Sequence, residues 1–410
     1  MYDAIVVGAR CAGAATAMLL ARKGHRVLLV DRARFPSDTL SAHALRIPAV
    51  DRLRRWGVLD AVVATGAPAV RDVRFDVGPF ALHGRALPLG ASDAMYAPRR
   101  YLIDTILVDA AVRAGAELRE GFTVHDLVYD GDRVAGIRGR AANGTVVTER
   151  AKIVIGADGM RSVVAKMVDA PVRHAHDTLT CGYYTYFEDL AITPGCDAEL
   201  SLREGAMAVV VPTNDRLTQV TMLRPIGEFG AIRTDVDARF HAGLDAISAE
   251  LGERVRASER AERYYGTGTM PFYIRKPYGP GWALVGDAAA HKDPILAQGM
   301  KDAYVGAELL ADALDAAFTE RCGAEVALAE YERASHDAMR PLYELSLQFA
   351  ALAPPAPEMQ ALFGALRGND ADTDRLLGVM EGTLPVHEFF NPANLGRIMA
   401  EAEPELLKAS

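Results

Sequence analysis

The sequence predicts an α/β fold: a doubly wound unit built on a parallel sheet, interleaved with a mainly antiparallel β-sheet insert and followed by C-terminal helices. Three observations carry this expectation. An apolar strand, a glycine-rich turn and a helix stand at the very N-terminus and lead to a second apolar strand ending in an acid. Short alternating segments separated by turn dipeptides fill the middle of the chain. A further apolar strand with its own glycine turn returns near residue 282, so the first unit resumes after the insert.

Residues 3–7 (DAIVV) form an apolar run of the kind buried on both faces of a parallel sheet. A helix follows from about Ala12 to Lys23, with Ala14, Ala17, Met18 and Ala21 on one face and Gly24 as its stop. Val27–Val30 make the second strand, which closes on Asp31. Pro48 opens a helix carrying Ala49, Leu53 and Trp56, and residues 102–114 repeat the helical period through Ile103, Ile106, Leu107 and Ala110. Asp130-Gly131 and Asn143-Gly144 are hairpin signals, giving an antiparallel meander before the buried strand Ile153–Ile155. Three strand-like runs lie between 179 and 225. The segment WALVGDA (282–288) resembles the first strand, and an amphipathic helix starts at Gly299. From about 325 the pattern is helical, broken at Ala353–Pro357. The parallel unit is thus assigned residues 1–75, 95–175 and 270–325. The insert takes 76–94 and 176–269, and the C-terminal helical region 326–410.

Composition narrows the function classes. At 410 residues, 50 % hydrophobic and 24 % charged, the chain has the balance of a globular protein of one or two domains. A net charge of −9 argues against nucleic acid or anionic lipid as partner. Cys11, Cys181, Cys196 and Cys322 are scattered without metal-ligand spacing, so neither a metal site nor a disulfide framework is expected; reduced thiols fit a cytoplasmic protein. The N-terminus lacks the basic segment of a signal peptide, and no run reaches the roughly 18 apolar residues of a membrane span.

Three motifs carry chemistry. The first is Gly8-Ala-Arg-Cys-Ala12-Gly13, between strand and helix. Gly8 permits the tight turn, Gly13 lets the helix pack closely, and the helix end offers unpaired N–H groups to a pyrophosphate. Asp31 follows Gly13 at the spacing where a carboxylate accepts ribose hydroxyls. Arg10 departs from the pattern, standing where a middle glycine allows close approach of the backbone. The second motif is Gly156-Ala-Asp158-Gly159-Met-Arg161-Ser162. The third is Gly286-Asp287, followed by Pro294 and Gly299.

In this order the motifs resemble the fingerprints of single-component FAD-dependent aromatic hydroxylases of the para-hydroxybenzoate hydroxylase type, over about residues 2–320. The resemblance extends to geranylgeranyl reductases and flavin halogenases. It implies a glutathione-reductase-like Rossmann domain for FAD and a substrate-binding sheet domain. Asp31 would hold the adenosine ribose, Val124 lie beside the adenine, and Asp287 hold the ribityl chain. Arg100, or its neighbour Arg99, would contact the phosphate–ribityl region. The run Thr39–Ala44, including Ser41, would thread past the flavin, and Pro294, Met300 and Lys301 would fall beside the ring system. A helix beginning at Gly299 aims its positive end there, where it favours negative charge on reduced flavin. Lys301 stands where the family often has Asn, and either adds charge near the flavin or points to solvent. The closing Arg of the second motif is replaced by Ala165. If NAD(P)H reduces the flavin directly, Arg32 and Arg161 are candidate phosphate contacts.

Among other residues, His43 and His291 fall near the flavin on the resemblance and suit proton transfer or hydrogen-bonded packing. Tyr184 and Tyr186 share one face of a strand, as a substrate roof or as ordinary sheet packing. Arg224 is either a substrate-carboxylate ligand or a solvated side chain.

The reaction implied is NAD(P)H- and O2-dependent hydroxylation or epoxidation of an aromatic or polyketide-like small molecule through a flavin C4a-hydroperoxide, by a monomer or homodimer. Reduction of isoprenoid C=C bonds is the alternative, and a non-enzymatic escort on a related fold is a third. Flavin halogenases carry a W-x-W-x-I-P motif and an early catalytic lysine. Here the only tryptophans are Trp56 and Trp282, and no lysine lies between Lys23 and Lys152, which sets halogenation aside.

Overall fold

A computed structural model describes residues 1–402. Along the chain, strand β1 (Tyr2–Val7) leads into helix α1 (Cys11–Arg22) and strand β2 (Val27–Asp31). Helix α2 (Ile47–Arg55) has Pro48 in its first turn, where a missing N–H is harmless. Then come β3 (Asp72–Asp76), β4 (Ala81–Arg85), α3 (Arg100–Arg113), β5 (Glu117–Glu120) and, after a hairpin, β6 (Val146–Gly156). The hairpin turns fall at Gly131 and Gly144, both at positive φ, as the Asp-Gly and Asn-Gly dipeptides require. Strands β7 (Thr180–Glu188), β8 (Ala198–Arg203), β9 (Ala206–Pro212), β10 (Leu217–Pro225) and β11 (Tyr265–Thr267) precede β12 (Trp282–Leu284). Helices α4 (Gly299–Phe318), α5 (Ala324–Ala350) and α6 (Asp370–Glu381) follow, with shorter helices after α5 and α6.

The parallel core runs in the order β12-β6-β1-β2-β5, with Val6 opposite Ile155 on one side and Leu29 on the other. Residues 3–7 are apolar after Asp3 because this strand is central and covered on both faces. The chain turns to opposite sides of β1, so the crevice beyond the strand ends at Val7, Asp31 and Gly156 is the ligand position of a doubly wound sheet.

The second sheet runs β11-β7-β10-β9-β8-β3-β4. It is antiparallel except for β8 against β3, and β3 straddles the expected boundary after residue 75. One face packs under helices Val236–Ile247 and Ala249–Ala257 through Phe240, Leu244, Ile247 and Leu251. Sequence reading gave this stretch to the sheet and missed both helices. The other face looks toward the parallel unit.

The fold is α/β, with a Rossmann-like parallel region, mixed sheets and C-terminal helices. Leu342, Tyr343 and Leu345 of α5 are buried in a core shared with Phe363, Leu366, Leu377 and Met380. No described helix is long and apolar enough to cross a membrane.

Candidate functional site

Between the two sheets lies a cavity of about 1270 Å³, above the roughly 300–1,000 Å³ typical of a small-ligand pocket. It begins at the first motif. Gly8 sits at φ +101, and a Cβ there would lie 2.4 Å from the Ala157 carbonyl oxygen. A Cβ on Gly13 would lie 1.7 Å from the Gly8 carbonyl oxygen. The two glycines therefore let α1 sit directly on the turn, with the N–H groups of its first turn free, and Cys11 and Ala12 on the cavity wall. Asp31 accepts backbone N–H groups from Ala9 and Ala33, both at 2.7 Å, which fixes its carboxylate while leaving lone pairs for a ligand hydroxyl. Asp31→Ala is expected to weaken FAD binding by about tenfold or more, because it orphans two N–H donors and removes an acceptor; titration of the FAD-free protein with FAD checks this.

Arg10 needs no glycine freedom, since its φ is −86. Its guanidinium pins the following loop through Ser37 and Asp38 and pairs with Asp104 at 2.6 Å. Arg100 also grips Asp104, at 3.0 Å, and borders the cavity. Asp104 is fully buried between them. Two arginines on one carboxylate leave a net positive charge at the helix end, the chemistry a pyrophosphate needs. Arg99 instead points away, to Glu262 and Asp38, so the two neighbours have separate tasks. Burial pushes the Cys11 thiol up to about 12, which leaves it protonated.

Phe122 and Val124 form an apolar wall, with Arg32 exposed at the mouth. Asp158 is spent on its own helix: it accepts the Ser162 hydroxyl at 2.5 Å and the N–H groups of Val163 and Val164. Gly159 supplies the turn at φ +80, and Arg161 is exposed on the cavity rim. Gly286 leaves room for Ala12, since its Cβ would lie 2.7 Å away. Asp287 borders the cavity with a carboxylate that no described residue pairs, which suits ribityl hydroxyls. Pro294, Gly299 and Met300 line the far end, and a Cβ on Gly299 would meet only open space. These features fit FAD: an acid and a helix end at one extreme, an open glycine at a helix start at the other.

Lys301 does not reach the wall; it is buried on Asp302 at 2.8 Å. Lys292, which sequence reading missed, shares that carboxylate and does line the cavity. Burial pulls the Lys292 pKa down. The two ammonium groups hold Asp302 low against the opposite effect of its own burial. Asp293, also missed, is buried on the cavity wall, accepts the Thr180 hydroxyl at 2.5 Å, and is pushed up to about 6 by burial.

His43 is 1 % exposed, at φ +56, a conformation rare for a residue with a Cβ. Its Nε2 meets the Tyr186 hydroxyl at 2.5 Å and its Nδ1 has no partner among the described residues. Burial, then Arg100 and Arg99, push its pKa down to about 3, so the ring is neutral. Tyr184 lines the cavity and accepts the Ser41 N–H, while Tyr186 lies behind His43 under the Arg99 guanidinium at 4.0 Å. Burial raises both tyrosines, Tyr184 to about 12.

His291 and Arg224 are both engaged by neighbouring groups of the protein. His291 borders the cavity, but its Nδ1 is held by the Pro271 carbonyl at 2.5 Å and its ring stacks on Tyr273, so it ties the loop to the neighbouring strand. Arg224 lies off the cavity wall and pairs with Glu228 at 3.0 Å; Arg224→Ala is expected to leave turnover within about twofold, as a half-exposed ion pair away from the cavity is weak. Among the described residues no cluster could hold a metal ion.

The sequence model of the FAD binding domain family matches residues 1–346. Conditioned medium factor receptor 1 of Dictyostelium discoideum is 26 % identical over 355 residues, 81 % of this chain and 67 % of that protein. Tryptophan 2-halogenase of Chondromyces crocatus is 28 % identical over 322 residues, 75 % of this chain and 60 % of that one. The chain thus spans about three fifths to two thirds of these relatives. The solved flavin-dependent brominase Bmp2 superposes with TM-score 0.82 at 20 % identity, covering 98 % of each chain, which is a likeness of fold. With the family match extending from the first strand through α4 and into α5, the chain belongs to the FAD binding domain family and is an FAD-dependent oxidoreductase.

Proposed function

We propose that the chain uses FAD, NAD(P)H and O2 to insert an oxygen atom into a neutral, largely apolar small molecule of aromatic or polyketide-like type. One observation carries this reading. The cavity continues without a wall from the cofactor end into a chamber beneath the second sheet, lined by Leu200, Val209, Val211, Leu223 and Met270. Direct atom transfer needs donor and acceptor in one dry chamber. FAD, when bound, supplies two-electron chemistry between reductant, O2 and substrate. The chain's own groups do the rest. The apolar sheet face covers the chamber, Tyr184, Gln219 and neutral His43 offer hydrogen bonds, and Asp293 is placed to take a proton from a substrate hydroxyl.

Halogenation returns as the second reading, so the earlier exclusion is corrected. The similarity to a tryptophan 2-halogenase, and to a carrier-protein pyrrole brominase of Pseudoalteromonas luteoviolacea at 22 % identity, supports it as well as hydroxylation. A missing early lysine does not decide the matter, because Lys292 brings an amine to the cavity wall from elsewhere in the sequence.

The test is incubation of the FAD-loaded protein with NADPH, O2 and a panel of aromatic compounds, with and without bromide. Products heavier by one oxygen in both conditions support hydroxylation. Brominated products only with bromide support halogenation. Turnover undiminished under strict anaerobiosis would sink both in favour of C=C reduction.

A further inference from the structure

Helix α6 lies beyond the segment that matches the family and outside the cavity itself, yet it contacts residues that form the cavity wall. Its last residue, Glu381, is 5 % exposed and forms a buried ion pair with Arg46, which is 8 % exposed and lines the cavity. The second Glu381 oxygen accepts the Ile47 N–H at 3.2 Å, at the start of α2. The remaining Arg46 donors close on one acceptor: Nε at 3.2 Å and Nη2 at 2.9 Å from the Leu296 carbonyl oxygen. Leu296 stands in the loop from Pro294 to Gln298, directly before Ala297, whose φ of +51 is disfavoured for a residue with a Cβ. A second tie holds the other end of this loop, where Gln298 donates to the Met380 carbonyl at 2.7 Å. Both ties therefore run from the last turn of α6 to the loop that borders the ring-system end of the cavity.

Helix α6 is itself anchored on the second sheet. Gly84 of β4 admits it closely, since a Cβ there would lie 2.7 Å from Asp374 Oδ1, and that oxygen accepts the Arg85 N–H at 2.6 Å. A loop forced into a left-handed turn holds one shape only when its surroundings over-determine it, and a buried bidentate arginine does so.

We propose that Arg46 and Glu381 are positioning residues: together they fix the 294–298 loop against bound FAD, and so make the C-terminal helix α6 part of the cofactor site.

The experiment compares Arg46→Met, Glu381→Leu, the double variant and Arg46→Lys, all FAD-loaded, by thermal unfolding, FAD release rate and flavin absorption spectrum. Each truncating single variant leaves one buried charge alone and is expected to lower stability. The double variant removes both charges and is expected to recover most of it. FAD release should nevertheless stay about tenfold faster than in the parent, with an altered absorption band, because the hold on the Leu296 carbonyl is still gone. Arg46→Lys keeps the ion pair but loses the two-pronged contact, and is expected to show the same faster release on a fold needing no rescue. Release rate and spectrum equal to the parent's in the double variant and in Arg46→Lys would overturn the proposal. So would recovery of FAD retention in step with stability, the behaviour of a pair that only holds the fold together.

Discussion

Replacing Gly13 by alanine is expected to strip FAD from the purified protein and destabilise the fold by roughly 4 kcal/mol or more. The added Cβ would stand 1.7 Å from the Gly8 carbonyl oxygen and 3.0 Å from the Ala157 side chain. Neither neighbour is the free end of a flexible chain, so α1 must move away from β1. That movement opens the core between α1 and the parallel sheet and turns the N–H groups of the first helical turn away from one point. Gly24→Ala is the control. It has open space around it but a φ of +89, so its cost is confined to backbone conformation, about 1–2 kcal/mol, with FAD retained. The ratio of flavin to protein absorbance and a denaturant midpoint for each variant decide the matter. Gly13→Ala carrying a full complement of FAD would refute the prediction.

Stability should also fall as pH drops below neutrality, and His43 should account for a large share of the fall. The unfolded histidine takes up a proton near 6.5, whereas burial and then Arg100 and Arg99 hold the folded one neutral down to about 3. Above 6.5 both states are neutral and the full stability is present. Between 6.5 and 3 the unfolded chain binds a proton that the folded chain does not, so stability is lost at about 1.4 kcal/mol per pH unit, toward roughly 5 kcal/mol. His43→Asn keeps a residue that accepts positive φ and removes the titrating group. Its denaturant midpoint should therefore fall less steeply than the parent's between pH 6.5 and 4. Parallel curves would show that other groups carry the acid sensitivity.

The nucleotide half of the molecule was legible because its chemistry is local in sequence. Gly8, Gly13 and Asp31 act within one strand–helix–strand unit, and their spacing alone places a turn, a helix end and an acid together. The wall of the chamber was not legible in the same way. His43, Tyr186 and Arg99 meet through a loop, a strand and a helix start, and nothing in their spacing announces the contact. Lys292 and Asp293 sit in a motif that was read for Asp287, His291, Pro294 and the residues after Gly299, and not for these two. A buried charge can be recognised as buried only once its partner, Asp302 or Thr180, is known. The helices Val236–Ile247 and Ala249–Ala257 were lost because the strand signals before them were extended through the whole insert. Arg224 shows the opposite case: a cation at a strand end suggests a ligand, but Glu228, four residues on in the turn that follows the strand, pairs with it.

The interleaving of the two sheets has a consequence for how the chain acquires its shape. Strand β12, at residues 282–284, completes the parallel sheet against Val154–Gly156 of β6, two positions from a strand that begins at residue 2. Until the ribosome has passed residue 284, the flank of β6 that will receive β12 presents open N–H and C=O groups. The second sheet meanwhile must form on its own between the two halves. Such distant pairings make for slow acquisition of structure and a nascent chain vulnerable to edge-to-edge association. Expression at lowered temperature, or with added chaperones, should therefore raise the soluble yield more than any substitution on the surface.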